Sequence, residues 1–302
     1  MKGWILYKRS QQELSEVDHG VNRLLSAAAN LQIELKVYKP EQFELVVTRE
    51  DKKSILLDGE RVSLPDFIIP RLGAEASYFA LAVVRQLEKS GVYTCNDTNA
   101  IETVGDKMLL SQLFAQSDLP FPKTMLVKFP VPVSVVEREI GFPLVIKNIS
   151  GARGVGIHLC ESSSSFRDLI ELIASHGGSH QMILQEFIAT SYGRDLRVFV
   201  LGGEVIGCMQ RTAKDSFKAN YSLGAEVTPY PLTPEIEQLA MTCARLFNLE
   251  IAGIDLLFAE QGFKICEANS SPGFKGMELA TGKDIATQIL NYVMNAASKK
   301  KH

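Results

Sequence analysis

Three oxygen-bearing side chains near the carboxyl end of the chain have the spacing of a cation site. Two apolar-rich runs, IDLLFA and GFKICEAN, are joined at Glu260-Gln261-Gly262, which suits a short hairpin with glycine at a positive φ. If Gln261 is the centre of the turn, Asp255 lies opposite Glu267, and Asn269 shares the face of Glu267 because side chains alternate along a strand. Such hard oxygen ligands suit Mg²⁺ bound together with substrate phosphates. The alternative is an amphipathic hairpin whose polar face lies in water.

A glycine-rich stretch in the middle of the chain, SGARGVGI at 150–157, lies between two strand-like runs. A Walker loop would carry Lys-Ser/Thr and precede a helix, and a Rossmann loop would also open a helix. In a strand–loop–strand context, glycines let backbone N–H groups fold over phosphates as a lid. The alternative is an ordinary glycine-rich hairpin turn.

Basic residues on both sides of this stretch are candidates for anion binding. Lys147 closes the apolar run PLVIK, so its ammonium group either reaches solvent or is directed at an anion. Lys107 begins a predicted helix and by itself is typical of a surface lysine. One later hairpin and its exit loop carry a dense group of cations, which indicates either an anion-binding wall or a solvated face: Arg194, Arg197, Arg211, Lys214 and Lys218.

The run from Gln185 to Phe187 ends a predicted strand. Its backbone groups could bind the edge of an adenine at a hinge. A plain strand end with Glu186 exposed explains the same residues equally well.

Composition narrows the classes of function. The chain has 302 residues, so two or three domains are expected. Its net charge of −3 provides no overall basic field for nucleic acid, and any anion site must be local. Five scattered cysteines without a C-x-x-C pair predict reduced thiols and a cytoplasmic protein. No apolar run has the length of a membrane span, and the start does not read as a signal peptide.

Alternating strand and helix patterns fill the first hundred residues, with helices at about 18–29 and 78–89. This βαβ rhythm predicts a small open parallel sheet, and without G-x-G-x-x-G after the first strand it is not expected to bind a dinucleotide. The remainder contains strands in hairpins, one of them turning at Gly202-Gly203. Further helices are predicted at about 106–116, 166–175, 234–246 and 282–297. The fold class is therefore α/β, with α+β character in the C-terminal half.

A series of motifs follows in order along the chain: IPRLG at 69–73, NAIETVGDK ending at Lys107, LPFPKT at 119–124, PLVIKNISGARGVGI, LQEFI, DLRVFVLGGEVIGCMQR, AGIDLL and EANSSPGF. Their order and spacing resemble the ATP-grasp superfamily, in particular the RimK-like amino-acid ligases of the alpha-L-glutamate ligase and ribosomal protein modification type. The resemblance runs nearly end to end. It implies an N-terminal Rossmann-like open-sheet domain at 1–97, a central lid subdomain at 98–184 and a C-terminal antiparallel-sheet subdomain with the magnesium site at 185–302.

The resemblance implies a role for each candidate residue. ATP would be bound by Lys107, Lys147, Gly151, Gly154, Gly156, Gln185, Glu186, Phe187, Ile188, Asp195 and Arg197. The transferring phosphoryl group and the acyl-phosphate would be stabilised by Arg211, Lys218 and Asn220. Two Mg²⁺ ions, for which Mn²⁺ is expected to substitute, would be held by Asp255, Glu267 and Asn269.

The implied reaction is amide-bond formation by an ADP-forming acid–amino-acid ligase. A substrate carboxylate would attack ATP to give an acyl-phosphate, and an amine would then displace phosphate. Glutamate or another amino acid would be joined to a peptide, protein or small-molecule acceptor, without binding to nucleic acid or membrane. Dimers or tetramers are common in this family, but the sequence leaves the oligomeric state open. Two other functions stay open: an ATP-binding protein of the same fold without ligase turnover, and a small-molecule kinase.

Three residues depart from the usual RimK pattern. Lys218 stands where these ligases often have arginine, and Leu223 and Ala225 replace a more polar residue and a glycine near the acceptor side. The identity of the acceptor therefore stays open.

Overall fold

Four β-sheets and nine α-helices make up the part of the chain that the computed structural model describes, residues 1–49, 55–73, 76–149, 156–175 and 181–300. The strands are β1 (Lys2–Leu6), β2 (Glu34–Tyr38), β3 (Phe43–Leu45), β4 (Ile55–Leu57), β5 (Glu60–Arg61), β6 (Phe67–Pro70), β7 (Tyr93–Thr94), β8 (Thr124–Lys128), β9 (Leu144–Asn148), β10 (Ile157–Cys160), β11 (Gln181–Glu186), β12 (Arg194–Leu201), β13 (Glu204–Thr212), β14 (Glu226–Pro229), β15 (Ile251–Phe258) and β16 (Phe263–Asn269). The helices are α1 (His19–Asn30), α2 (Tyr78–Lys89), α3 (Thr98–Gly105), α4 (Lys107–Gln116), α5 (Val133–Glu139), α6 (Ser163–Ser175), α7 (Pro234–Leu246), α8 (Lys275–Thr281) and α9 (Ile285–Lys300).

The N-terminal sheet is parallel throughout, in the order β2-β1-β6-β7. Its central strands are buried on both faces, as in other parallel sheets. Ile5 and Phe67 belong to a core shared with α1 and α9, whereas Trp4 and Ile68 pack toward α2. The predicted open parallel sheet is therefore confirmed, and a small antiparallel sheet of β3, β4 and β5 beside it was not predicted.

The central sheet is antiparallel, in the order β10-β9-β11-β8. One face packs on α5 and α6 through a separate apolar cluster that includes Ile146, Phe166 and Leu184. Because side chains alternate along a strand, Lys147 and Gln185 project from the opposite face. This face is directed at the C-terminal sheet.

The C-terminal sheet has five antiparallel strands in the order β14-β13-β12-β15-β16. Residues such as Leu196, Ile254 and Ala268 on one face form an apolar core with α3, α4 and α7. The other face carries the charged candidates. A buried asparagine, Asn96, joins this sheet to the N-terminal one: its side chain donates to the carbonyls of Ile251 and Ser270 at 2.7 and 2.8 Å and accepts from the backbone N–H of Ile251 at 2.9 Å.

Most predicted helices occur near their expected limits. Those at 78–89 and 234–246 are confirmed at both ends. The last helix begins at Ile285 rather than Gly282, because Gly282 has a φ of +68° and ends α8 instead. Three short helices, α3, α5 and α8, were not predicted. Among the described residues no helix combines the length and the apolarity needed to cross a bilayer.

Candidate functional site

A cleft of about 510 Å³ opens between the N-terminal, central and C-terminal sheets. Residues from all three sheets line it. The candidates that the fold brings together here are Lys107, Lys147, Gln185, Arg197, Arg211, Asn220, Asp255, Glu267 and Asn269. Residues separated by as many as 162 positions in the sequence thus meet in one concave surface.

Strand register places five of the charged candidates in adjacent positions. Arg197 on β12 pairs with Asp255 on β15, which in turn pairs with Glu267 on β16. On the other side of β12, Asp195 pairs with Arg211 on β13. Directly paired residues project from the same face of a sheet, so these side chains form a charged row on the cleft side.

The predicted pairing of Asp255 with Glu267 is confirmed, but the predicted centre of the turn is wrong. Ala259 donates to the carbonyl of Gly262 at 3.1 Å, and Phe258 pairs with Phe263, so the turn is centred between Glu260 and Gln261. A β-bulge at Cys266 then inserts one extra residue and restores the expected register. The bulge also leaves both Cys266 and Glu267 lining the cleft.

Ion pairs neutralise most of this row internally. Arg197 contacts both carboxylate oxygens of Asp255, with Nη2 at 2.8 Å from Oδ2. Arg211 binds Asp195 in a bidentate pair at 2.7 Å for both bonds and reaches Oδ2 of Asp255 at 2.9 Å. Burial would raise the pKa of Asp255, but the two guanidinium groups outweigh it and hold the pKa below its ordinary value.

Glu267 differs from its neighbours because its carboxylate has no hydrogen bond or ion pair within the described parts of the chain. Burial, reinforced by the charge of Asp255, raises the pKa of Glu267. An uncompensated carboxylate in a cleft costs free energy unless a cation joins it. Asn269 donates its Nδ2 to the carbonyl of Gly253 at 3.2 Å, which directs Oδ1 away from that bond. Both groups therefore fit a divalent cation.

Asp255 retains less capacity for a metal. A carboxylate offers about four lone-pair sites, and three N–H bonds from Arg197 and Arg211 already occupy the oxygens of Asp255. One site remains, which suits a single additional ligand bond. In the described ranges no cluster of three His, Cys, Asp or Glu side chains has metal-binding geometry, so the candidate site consists of two carboxylates and an amide.

Two lysines approach the cleft from the central part of the chain. Lys147 donates to Oε1 of Gln185 at 2.6 Å, and its Nζ lies 3.8 Å from Sγ of Cys266. Lys107, at the start of α4, donates to the carbonyl of Ile149 at 3.1 Å. Both acceptors are uncharged oxygens, and both lysines line the cleft.

The other candidates among the described residues do not line the cleft. Glu186 forms an ion pair with Lys264 at 2.7 Å, and Phe187 stacks edge-on against Tyr192 at 6.2 Å between centroids. Lys218 lies over the ring of Phe217 at 5.7 Å. Ile188, Asp195, Leu223, Ala225 and Gly156 are likewise not part of the cleft lining, although Asp195 holds the cleft residue Arg211.

The glycine-rich stretch is described only at its end. Gly156 has a φ of +70°, and a Cβ there would lie 2.7 Å from Nδ2 of Asn148, so only glycine suits this position. Gly151 and Gly154 lie outside the described residues, and their lid role stays a prediction.

Two cleft residues were missed from the sequence. Arg71 follows β6 at the carboxyl edge of the parallel sheet, where ligands of open α/β sheets commonly bind. Its position inside the IPRLG motif could have indicated this. Cys266 lines the cleft only because of the bulge, for which the sequence has no recognisable signal.

Known proteins match this arrangement along almost the whole chain. The family model of the RimK-like ATP-grasp domain matches residues 104–293, and that of the RimK PreATP-grasp domain matches residues 12–101. A protein of Shewanella amazonensis named "Probable alpha-L-glutamate ligase 1" is 35% identical over 93% of both chains. A curated relative from Methanococcoides burtonii, named "Probable alpha-L-glutamate ligase", is also 35% identical, over 90% of both chains.

Solved structures agree on the fold. The RimK domain ATP-grasp protein of Sphaerobacter thermophilus superposes with a TM-score of 0.75 at 19% identity, covering 97% of this chain and 100% of that one. The ATP-grasp ligase PsnB, in a complex with a precursor variant, Mg and ADP, gives a TM-score of 0.72 at 19% identity over 98% of both chains. The chain therefore belongs to the RimK-like ATP-grasp family.

Proposed function

We propose that this protein is an ATP-dependent carboxylate–amine ligase that joins glutamate or another amino acid to a peptide, protein or small-molecule acceptor. The observation that carries the proposal is the pairing of the uncompensated carboxylate of Glu267 with the Asp255–Arg197–Arg211 cluster in one cleft. The names of the curated relatives support glutamate as the amino acid. The structure of the ATP-grasp ligase PsnB with Mg and ADP supports ATP and a divalent cation as the cofactors.

Nucleotide binding is assigned to the central side of the cleft. Lys107 and Lys147 bring ammonium groups to the cleft lining, where each donates a hydrogen bond to an uncharged oxygen. As point charges on flexible stems they can follow phosphate oxygens without a fixed geometry. Gln185 accepts the hydrogen bond of Lys147 and so restrains the direction of its ammonium group.

The metal is assigned to Glu267, Asn269 and the remaining lone-pair site of Asp255. When bound there, Mg²⁺ would offset the negative charge of the phosphate oxygens and so reduce their repulsion of an attacking carboxylate. Two ions are expected, and Mn²⁺ is expected to substitute for Mg²⁺, because both favour oxygen ligands.

Phosphoryl transfer is assigned to the neighbourhood of Arg211. A substrate carboxylate oxygen bonds to the γ-phosphorus of ATP as the bond to the ADP oxygen breaks, which gives an acyl-phosphate and ADP. The Nε and Nη2 atoms of Arg211 bind Asp195 and Asp255, which fixes the orientation of the guanidinium group. Its Nη1 donors can therefore stabilise the negative charge that develops on the phosphoryl oxygens in the transition state. Asn220 lines the same cleft and can add a neutral donor.

Amide formation completes the reaction. The amine of the second substrate bonds to the acyl carbon, phosphate leaves with the electrons of the C–O bond, and the nitrogen loses a proton. Because water would hydrolyse the acyl-phosphate, the cleft must be closed during this step. The glycine-rich stretch after Lys147 is assigned to this closure.

An isotope experiment tests the proposal. Amino-acid and peptide pairs are screened for phosphate release with Mg²⁺ and ATP, and products are identified by mass spectrometry. For a productive pair, the attacking carboxylate is labelled with ¹⁸O. A ligase must transfer one ¹⁸O atom from the carboxylate to the released phosphate.

Two outcomes contradict this function. ATP that binds without turnover for any pair identifies a binding protein of the same fold. Conversion of ATP to ADP with an alcohol as sole co-substrate, and with phosphate retained on that alcohol, identifies a kinase.

A further inference from the structure

Arg71 is a cleft residue to which the proposed chemistry assigns no role. It directly follows β6, and its backbone N–H donates to the carbonyl of Leu6 at the end of β1 at 2.8 Å. Both strands therefore end at the edge of the sheet that faces the cleft. The side chain lines the cleft from the N-terminal side, whereas Lys107 and Lys147 line it from α4 and β9.

The guanidinium of Arg71 has no carboxylate partner in the described ranges. Its Nη2 donates to the carbonyl of Pro272 at 2.9 Å, and its Cζ lies 5.7 Å from the ring centroid of Phe274. Burial lowers the pKa of Arg71 to about 10, which reflects a desolvated cation without a compensating anion. Other partly buried arginines differ: Arg23 pairs with Glu278 at 3.1 Å, and Arg197 pairs with Asp255.

The surrounding wall is also cationic. Lys8 and Lys275 line the cleft, are exposed and form no ion pair found in the described chain. The acidic group on this wall, Asp18, is already compensated, because it binds Arg9 at 2.6 Å and the hydroxyl of Tyr7 at 2.8 Å. Nδ1 of His19, at the start of α1, is buried without a hydrogen-bond partner among the described atoms.

A short series of contacts joins Arg71 to the charged row. Pro272, which accepts the bond from Arg71, packs against Gly253 so closely that a Cβ there would lie 2.6 Å from the proline ring. The same Cβ would lie 3.0 Å from Nη1 of Arg197, the partner of Asp255. Arg71 is therefore linked through Pro272 and Gly253 to Arg197 and lines the same cleft as Arg211.

We propose that Arg71 binds a carboxylate of the amine-bearing substrate, the one that takes no part in the reaction. This inference rests on the proposed ligase function. An amino acid that attacks through its amine brings an unreacted carboxylate, which would otherwise compete for the metal beside Glu267. A guanidinium on the opposite wall holds that carboxylate in a bidentate pair and directs the amine toward the acyl carbon.

Other occupants fit less well. The phosphates of ATP are assigned to Lys107 and Lys147 on the central side of the cleft. The carboxylate that is phosphorylated must reach the donors of Arg211, so it cannot remain at Arg71. An amine without a carboxylate would leave the buried cation of Arg71 without a counter-charge. The site should therefore bind an amino acid more tightly than a simple amine.

Affinity for matched ligand pairs tests the inference. The full-length protein is first loaded with Mg²⁺ and a nonhydrolysable ATP analogue, whose binding is measured by calorimetry. L-Glutamate, L-aspartate and L-alanine are then titrated, each beside its α-amide, with L-glutamine added to probe the γ-carboxylate. For the amino acid that binds, wild-type protein is expected to prefer the free carboxylate over the amide by about 10- to 100-fold, as for a charge-assisted pair.

Variants separate recognition from structure. In Arg71→Gln the preference for the carboxylate is expected to vanish while affinity for the ATP analogue stays unchanged. Arg71→Lys keeps the charge and loses the planar fork, so it is expected to recover part of the preference. Arg85→Gln removes an exposed arginine paired with Glu102 and is expected to keep all of it.

Distinct results overturn distinct claims. Equal weakening of acid and amide in Arg71→Gln would mean that Arg71 only positions Pro272, and would overturn the inference. Failure of every amino acid in the panel to bind the loaded wild-type protein would also overturn it. Failure of the ATP analogue itself to bind would instead contradict the ligase function on which the inference rests.

Discussion

The two walls of the cleft handle charge in opposite ways. On the C-terminal sheet, Asp195, Arg197, Arg211 and Asp255 neutralise one another through five short contacts. On the N-terminal wall, Arg71 has a carbonyl and an aromatic ring as neighbours but no described carboxylate. These four charges of the first wall balance one another without a ligand, whereas the charge of Arg71 has no described carboxylate to balance it.

This difference separates two uses of charged residues. Groups that are compensated inside the chain fix the geometry of the site, because moving any one of them would leave a buried charge unpaired. Groups without an internal partner are available for ligands. Glu267 lies on the first wall but has no internal partner among the described residues. Its strand partner Asp255 is already paired with Arg197 on the next strand.

The largest effect is expected for Glu267→Gln. Loss of the free carboxylate should lower Mg²⁺-dependent ATP turnover by roughly 1,000-fold, since metal charge stabilisation amounts to several kcal/mol. Steady-state phosphate release measures this. Glu260→Gln, in the exposed turn of the same hairpin, should retain full activity. Equal rates in the two variants would remove Glu267 from the metal site.

The same variant has an opposite effect on stability without metal. The pKa of Glu267 is raised on folding, so its ionised form destabilises the folded state at any pH above that pKa, and the cost disappears below the unfolded pKa. In EDTA at pH 8, Glu267→Gln should therefore melt at a higher temperature than wild type, and the difference should vanish near pH 4. A lower melting temperature at pH 8 would show that Glu267 has an internal partner.

Breaking a compensated pair should mainly affect the fold. Arg197→Met leaves Asp255 with one fewer cation, and unpairing a buried ion pair of this kind costs about 3–5 kcal/mol. Urea denaturation monitored by circular dichroism measures the free energy of unfolding. Arg85→Met, which breaks an exposed pair with Glu102, should cost less than about 1 kcal/mol. Similar losses in both variants would contradict the structural role of the row.

Lys147→Met tests the central side of the cleft. Removal of one ammonium group should weaken binding of an ATP analogue by about 10- to 100-fold, as for a single charge-assisted contact. Lys128→Met, at the exposed end of another strand of the same sheet, serves as the matched control and should leave the dissociation constant unchanged. An unchanged constant for Lys147→Met would place the phosphates elsewhere.

The smallest effect is expected for Lys218→Arg, which introduces the residue expected at this position from the family resemblance. Lys218 does not line the cleft and lies over Phe217. Turnover should therefore change by less than about threefold, well below the effect of losing one catalytic hydrogen-bond donor. A tenfold rise in phosphate release would show that the lysine reaches the transferring group during the reaction.

The alternation of apolar and polar residues predicted the hairpin and the pairing of its two carboxylates, but with the wrong centre for the turn. Placing the turn at Gln261 gave the correct pairing of Asp255 with Glu267, although the true turn lies half a residue earlier and the bulge at Cys266 compensates. A bulge depends on contacts across strands, which composition and alternation do not reveal. The N-terminal parallel sheet and the long helices, whose patterns are local, were predicted well.

Contacts between distant segments could not be predicted from the residues alone. The pairing of Arg197 with Asp255 joins strands 58 positions apart and follows from the sheet order. Likewise, nothing near Arg71 in the sequence indicates that Pro272 will lie beside it. The resemblance to a family supplied the roles of Gln185–Ile188. Glu186 and Phe187 do not line the cleft and contact Lys264 and Tyr192 instead, so contact with adenine is expected from their backbone.

The most direct test of the central claim is a crystal structure of the full chain with Mn²⁺ and a nonhydrolysable ATP analogue, with the metal located by anomalous scattering. Mn²⁺ is expected to bind the side-chain oxygens of Glu267 and Asn269, with one further bond from Asp255. The triphosphate is expected to lie between that metal and the ammonium groups of Lys107 and Lys147. Metal bound elsewhere, or a triphosphate that contacts neither lysine, would contradict the central claim.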